Sequence, residues 1–308
     1  MNDDLREKST LANIAYYNNP ARKKYGKAKG LKYLEDLSDH NTAIYEKDGK
    51  IKVAYRGSIT GSDWYNNAFK MTDGLSFTTD TPFSEDPDFI KDKATLDQVR
   101  QKYPNADIEH IGHSRGGARA RAGYYHVGGK AITYNSAFTP NERKTYDKAN
   151  KDDIRNVRTD KDVVSAYLPQ EDTIKLPTES KPILSTGAKY LAGLGVGATA
   201  GYFGVDSKSA TGAFNSGISI GNAVKQRADA HSMVQFLPDE EMARLAKEGS
   251  GRHYDERDLD GQSFPEAFPR LRGTARKFAR EELNRREQLS NNNNNLRGSP
   301  PATAAEQQ

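Results

Sequence analysis

The chain has 308 residues, with 46 Lys+Arg against 42 Asp+Glu for a net charge of +4, and no cysteine. At about 150 residues per domain it holds one large domain or two small ones, and the missing thiols exclude disulfide scaffolds, thiolate metal sites and cysteine nucleophiles. A hydrophobic fraction of 35% and a mean hydropathy of -0.88 leave part of the chain solvated, and so small a net charge lacks the concentrated basic face of a nucleic-acid binder, so no nucleic acid is expected as a partner.

Met1 to Thr10 is charged and lacks the apolar stretch of a secretory signal peptide. Export would then follow a non-classical route; a virion-associated or cytoplasmic location fits the same observation. Leu5 to Leu37, interrupted at Asn19-Pro20, carries apolar residues at helical spacing and predicts two short amphipathic helices. Thr42 to Glu46 and Lys50 to Tyr55 are β-rich runs about Asp48-Gly49, a dipeptide that tolerates positive φ, and predict a hairpin. After a Thr/Asp/Pro-rich loop from Thr72 to Pro87, Ile90 to Tyr103 reads as helix, Asp107 to Ile111 as strand, Ala118 to Tyr125 as helix, and Ala131 to Asn135 and Ile154 to Arg158 as strands. Such alternation needs crossover connections, so the fold class expected is α/β, a mainly parallel sheet flanked by helices.

Beyond Pro182 the composition changes. Gly187 to Gly221 holds nine of the chain's 26 glycines, with Gly193, Gly197 and Gly201 at four-residue spacing, and Tyr190 to Val205 is free of charge. Small residues at that spacing let apolar helices approach closely, so a glycine-rich helical insert is expected over 183–222: a soluble helical pair, a lid making peripheral membrane contact, or a segment inserted into the membrane. The boundaries expected are a principal domain over 1–240 including the insert, a charged C-terminal extension over 241–288, and a disordered tail over 289–308, where the Asn run and polar end have no apolar pattern to pack.

The chemistry centres on Asp107 to Gly117, DIEHIGHSRGG: a strand, then Gly112-His113-Ser114-Arg115-Gly116, then a helix of small residues. In G-x-S-x-G a sharp strand-to-helix turn leaves no room for side chains at the two glycines and projects the serine hydroxyl at a helix N-terminus, where developing negative charge is favoured. A serine nucleophile needs a base, and the base needs a third group to fix its tautomer. Of six histidines, His40 and His110 precede the serine, His113 lies inside the turn and His126 on the helix just after it. In the chain order serine, acid, histidine, that leaves His231 and His253. His231 heads the apolar run His231-Ser232-Met233-Val234-Gln235-Phe236 and is favoured, whereas His253 lies among charged residues suited to the surface. Asp160 and Asp162 both follow the strand ending near Arg158 and both qualify as the acid. An oxyanion hole needs the N–H after the nucleophile, that of Arg115, and a donor after an earlier strand, for which Gly57 and Ser58 at the end of IKVAYRGS are placed.

Val53-Ala54-Tyr55-Arg56-Gly57-Ser58 with Asp63-Trp64, the turn GHSRGG, Ile132-Thr133-Tyr134-Asn135-Ser136 and Asp162-Val163-Val164-Ser165 together resemble, in order, four motifs of the fungal-type, class three lipases. The resemblance spans Leu11 to Leu237. It implies an α/β-hydrolase-like fold, Ser114 as nucleophile, Asp162 as acid, His231 as base, Ser58 and Arg115 at the oxyanion hole, a lipid ester as substrate, a short lid, and no metal or organic cofactor. The chain departs from that pattern at Arg115, where leucine is usual; a cation there would either suit anionic lipid head groups, which ranks phospholipid above triglyceride, or simply reach solvent. The expected function is a serine esterase acting on lipid carboxylic esters, with a catalytically weak lipase-like module that binds membranes or partner proteins as the alternative.

Overall fold

A computed structural model describes residues 1–57, 87–138, 142–160, 162, 165, 168–177, 233–248 and 279–291. Helix α1 (Asp3–Ile14) starts at Asn2, whose side chain accepts the Leu5 N–H at 3.0 Å, and α2 (Asn19–Lys29) starts at Asn18 with proline in its first turn and ends at Gly30 in the left-handed region, φ 65°. These polar caps and the left-handed stop are the boundaries that short surface helices need. Strand β1 (Lys32–Tyr33) leads to the hairpin of β2 (Thr42–Lys47) and β3 (Lys50–Tyr55), whose turn residues Asp48 and Gly49 have φ 52° and 75°. Then follow α3 (Pro87–Lys102), β4 (Asp107–His113), α4 (Arg115–Val127), β5 (Lys130–Tyr134), α5 (Arg143–Lys148), β6 (Ile154–Thr159), β7 (Thr173–Leu176), α6 (Asp239–Glu248) and helical residues 279–291.

The seven strands form one sheet in sequential order. The β1–β2 and β2–β3 pairs are antiparallel and the remaining pairs, β3 through β7, are parallel. The mainly parallel α/β sheet expected from the strand–helix alternation is therefore present, and each predicted helix and strand up to β6 overlaps an observed one. Strands β1 and β7 and helices α5 and α6 were not anticipated: β1 falls in the stretch expected to be helical, where Gly30 ends α2 at Lys29, β7 is short and largely exposed, and α5 is six residues long.

Residues alternate across the sheet. In β3, Ile51, Val53 and Tyr55 face Leu96, Val99 and Ala120 of α3 and α4, whereas Ala54 faces the opposite layer. That layer is built from both ends of the chain: Leu5, Leu11 and Ile14 of α1 pack with Met233, Phe236, Leu237, Met242, Leu245 and Ala279. The charge-rich stretch after residue 240 thus contributes buried apolar side chains to the principal core. Among the described residues no helix is long and apolar enough to cross a membrane. The insert over 183–222 lies outside the described residues; of the tail expected over 289–308, residues 289–291 continue the helix and the rest lies outside the described residues.

Candidate active site

Ser114 stands between the end of β4 and the start of α4 with φ 59° and ψ -128°. A non-glycine residue there is strained, and it persists only where its surroundings over-determine it. Here they do: Ser114 N–H donates to the Tyr134 carbonyl at 3.0 Å, and its own carbonyl accepts from Gly117 N–H at 3.0 Å and Ala137 N–H at 3.2 Å. The flanking glycines are sterically required. A Cβ on Gly112 would lie 2.1 Å from the Gly116 carbonyl oxygen, and one on Gly116 would lie 2.3 Å from the Tyr55 carbonyl oxygen. Ser114 is 7% exposed, and its side chain does not cap α4.

The end of β3 lies directly against this turn. A Cβ on Gly57 would sit 3.3 Å from Ser114 Cβ, 2.7 Å from the His113 carbonyl oxygen and 2.3 Å from the Tyr16 hydroxyl. Tyr16, a residue the motifs gave no reason to single out, pairs its buried hydroxyl with His113 Nδ1 at 2.9 Å. Ser58, the next residue along, lies outside the described residues. Arg115 is the first residue of α4. Its guanidinium is ion-paired with Asp88 at 2.6 Å, and Asp88 also accepts from Asn41 Nδ2 at 3.0 Å. The cation expected to meet anionic head groups already has a carboxylate in contact.

On the other side of the turn, Asn135 continues β5 with φ 42°, donates its N–H to the Val157 carbonyl at 2.8 Å and accepts the Thr159 N–H on its side-chain oxygen at 2.9 Å. This registers the end of β6 against β5, the neighbour of the strand that leads to Ser114. Three residues on, Asp162 is 1% exposed, and its Oδ2 accepts from the Ser165 N–H at 2.9 Å and from the Ser165 hydroxyl. Asp160 is exposed at the surface. The two carboxylates that the sequence left equivalent are thus unlike: one is buried and held by donors, as an orienting acid must be.

His231 and His253 lie outside the described residues. The chain re-enters at the 3-10 turn Met233–Phe236, where the Phe236 ring packs 5.2 Å from that of Tyr134, the residue whose carbonyl accepts from Ser114. The histidines near the turn are engaged elsewhere. His110 is fully buried, facing the Gly128 carbonyl through Nε2 at 3.0 Å and the Tyr55 hydroxyl through Nδ1 at 2.9 Å. Burial pushes its pKa down to about 4. His126 Nε2 meets Asp97 at 2.6 Å.

Two further arginines of α4 are buried. Arg121 places Nε 2.5 Å from Glu142 and Nη1 2.8 Å from Ser136 Oγ. Arg119 places Nε and Nη2 2.6 and 2.5 Å from the two Asp92 oxygens. Burial alone would lower the Arg119 pKa, but the Asp92 charge and hydrogen bonds more than offset this and hold the guanidinium above its ordinary value. Neither belongs to a recognised motif, although two arginines in the run Gly116 to Gly123, otherwise all Gly and Ala and facing a hydrophobic sheet, are the available signal.

No family model and no curated protein matches the chain. Among solved structures it is similar to a fungal lipase–inhibitor complex, at 18% identity over 55% of this chain and 74% of that one, TM-score 0.36. It is similar too to a triacylglycerol lipase described as having a serine protease triad at its catalytic centre, at 17% identity over 55% of this chain and 74% of that one, TM-score 0.37. Rhizomucor miehei lipase with its propeptide is similar at 18% identity over 55% of this chain and 64% of that one, TM-score 0.37. These are likenesses in chain trace over about half of this chain, and the chemistry of the site rests on its own residues.

Proposed function

We propose that the chain is a serine esterase that hydrolyses lipid carboxylic esters, of lipase or phospholipase A type, through an acyl-enzyme. The observation that carries the reading is the strained Ser114 held between two glycines that no larger residue can replace, at a strand-to-helix turn. Strain of this kind gathers at reacting groups because packing alone has no use for it. In the proposed cycle, His231 takes the proton from Ser114 Oγ as it attacks the ester carbonyl carbon, and the Arg115 and Ser58 N–H groups bind the oxyanion. Collapse of the tetrahedral intermediate breaks the ester bond, and the departing alcohol receives the proton from His231. Water then attacks the acyl-enzyme by the same route and releases the fatty acid. Asp162 holds the imidazole in the tautomer that accepts from serine. Support for Asp162 over Asp160 comes from its burial and its hydrogen bonds to Ser165. The Arg115–Asp88 pair removes the reason to rank phospholipid above triglyceride.

The test is a substrate panel of p-nitrophenyl esters, phospholipids and triglycerides, with a fluorophosphonate probe for the nucleophile. Wild type is expected to hydrolyse esters and take the label at Ser114, and Ser114→Ala to do neither. A wild-type protein inert to the panel and the probe overturns the reading and leaves the membrane- or partner-binding module in its place.

A further inference from the structure

Resting on Ser114 as the nucleophile, we infer that Arg119 is a positioning residue for the reaction: from inside the helix that Ser114 begins, its guanidinium holds the end of β3 at Arg56 and Gly57 against the nucleophile turn. Two ion pairs join α3 to α4, Asp88 to Arg115 and Asp92 to Arg119. Partners are four residues apart on both helices, about one turn or 6 Å, so the pairs form successive rungs between helices whose N-termini both lie at the site. The outer rung is 18% and 28% exposed at Arg115 and Asp88, while the inner is 2% and 4% exposed at Arg119 and Asp92.

The inner rung does more than join helices. Besides its two bonds to Asp92, Arg119 donates from Nη2 to Thr42 Oγ1 at 3.1 Å and from Nη1 to the Arg56 carbonyl at 3.0 Å. Arg56 N–H donates to the Asn41 carbonyl at 2.9 Å. The last residue before Gly57 is therefore clamped at both its N–H and its carbonyl. Because the peptide is planar, fixing the Arg56 carbonyl fixes the direction of the Gly57 N–H and the position of the Gly57 Cα. Just past β3, Gly57 passes so close to the nucleophile that a Cβ placed on it would lie 3.3 Å from Ser114 Cβ. A buried ion pair is a poor device for stability alone, since well-packed apolar residues of similar volume often serve as well or better. An apolar pair cannot hold a carbonyl, and the guanidinium fork can reach a carboxylate and a carbonyl together.

The experiment measures steady-state hydrolysis of a short p-nitrophenyl ester and the rate of fluorophosphonate labelling. The variants are Arg119→Met with Asp92→Leu, which removes both buried charges at once, and Arg119→Lys, which keeps the charge opposite Asp92 but lacks the second arm toward the Arg56 carbonyl. In a variant with wild-type circular dichroism and a cooperative melt, kcat and the labelling rate are expected to fall about 10- to 100-fold with KM within about twofold, the size of loss a misplaced site produces. A folded variant with wild-type kcat overturns the inference, as does a loss confined to KM or to melting temperature. If the double variant does not fold, Arg119→Lys carries the same expectation and the same refutation. Wild type that neither turns over ester nor takes the label refutes Ser114 as nucleophile, and the inference with it. Normal wild-type labelling together with unchanged labelling of Arg119→Lys refutes the inference alone.

Discussion

Arg115, the residue after the proposed nucleophile, is ion-paired with Asp88 of α3 at 2.6 Å, so the cation next to Ser114 is already matched by a carboxylate. Removing the carboxylate and keeping the cation is the informative change. Asp88→Asn is expected to raise kcat/KM for anionic esters over neutral ones of equal length by about two- to fivefold, the scale of a partly exposed charge pair. The ratio of the two rates, measured at low and high salt, checks this. A ratio unaltered by the substitution would place the guanidinium out of reach of substrate.

Relief of strain at Ser114 gives a stability signature separate from activity. Glycine adopts φ 59° without penalty. Ser114→Gly is expected to be inactive yet more stable than Ser114→Ala by about 1 kcal/mol, within the range for a single strained residue. Urea denaturation of the pair decides it. Equal midpoints would mean that the turn is not under strain.

The acid assignment predicts unequal amide variants. Asp162→Asn is expected to cost about 10⁴ in kcat, as a neutral amide lets the histidine take the wrong tautomer, whereas Asp160→Asn is expected to stay within about twofold, the behaviour of a surface substitution. Comparable losses in both would move the acid.

His110 predicts a pH dependence of stability. With a pKa of about 4 in the folded protein and about 6.5 when unfolded, the unfolded chain binds more protons between those values. Stability is therefore lost as pH falls from about 6.5 to 4, by an amount on the order of 3 kcal/mol, and no further on this residue's account below pH 4. His110→Gln is expected to flatten that window in urea titrations taken at several pH values. An unchanged slope would assign the dependence to other groups.

Much of this was legible in the chain. The hairpin could be read because Asp48-Gly49 is a purely local signal, and the nucleophile turn because its two glycines answer a local steric demand. What escaped were groups whose roles are defined across the sheet. Nothing near Tyr16 says that its hydroxyl will meet His113, and nothing near Asp92 says that it will hold Arg119, since such pairings depend on which helix covers which strand. The choice between Asp160 and Asp162 also needed the fold: the two stand two positions apart, and only the closing of the loop onto Ser165 buries one of them.

The layer on the α1 face of the sheet has a consequence for biosynthesis. Ser9 Oγ donates to the Phe236 carbonyl at 2.9 Å, and Arg286 donates to the carbonyls of Leu237 and Gln235, both at 3.0 Å. The opposite layer, made by α3 and α4, draws its partners from the middle of the chain: Arg121 of α4 pairs with Glu142 and Ser136, and Tyr124 and Tyr125 pack with Ala131, Phe138, Tyr146, Ile154 and Leu168. The α1 layer cannot close until residues 233–248 and 279–291 have emerged. Until then Ile132, Tyr134 and Val157 have α1 but not these later segments to cover them, and closure waits on contacts of long sequence separation, the slow class in folding. Translation order thus delays the closing of this layer, and it marks the α1 face as the surface a holding chaperone would engage.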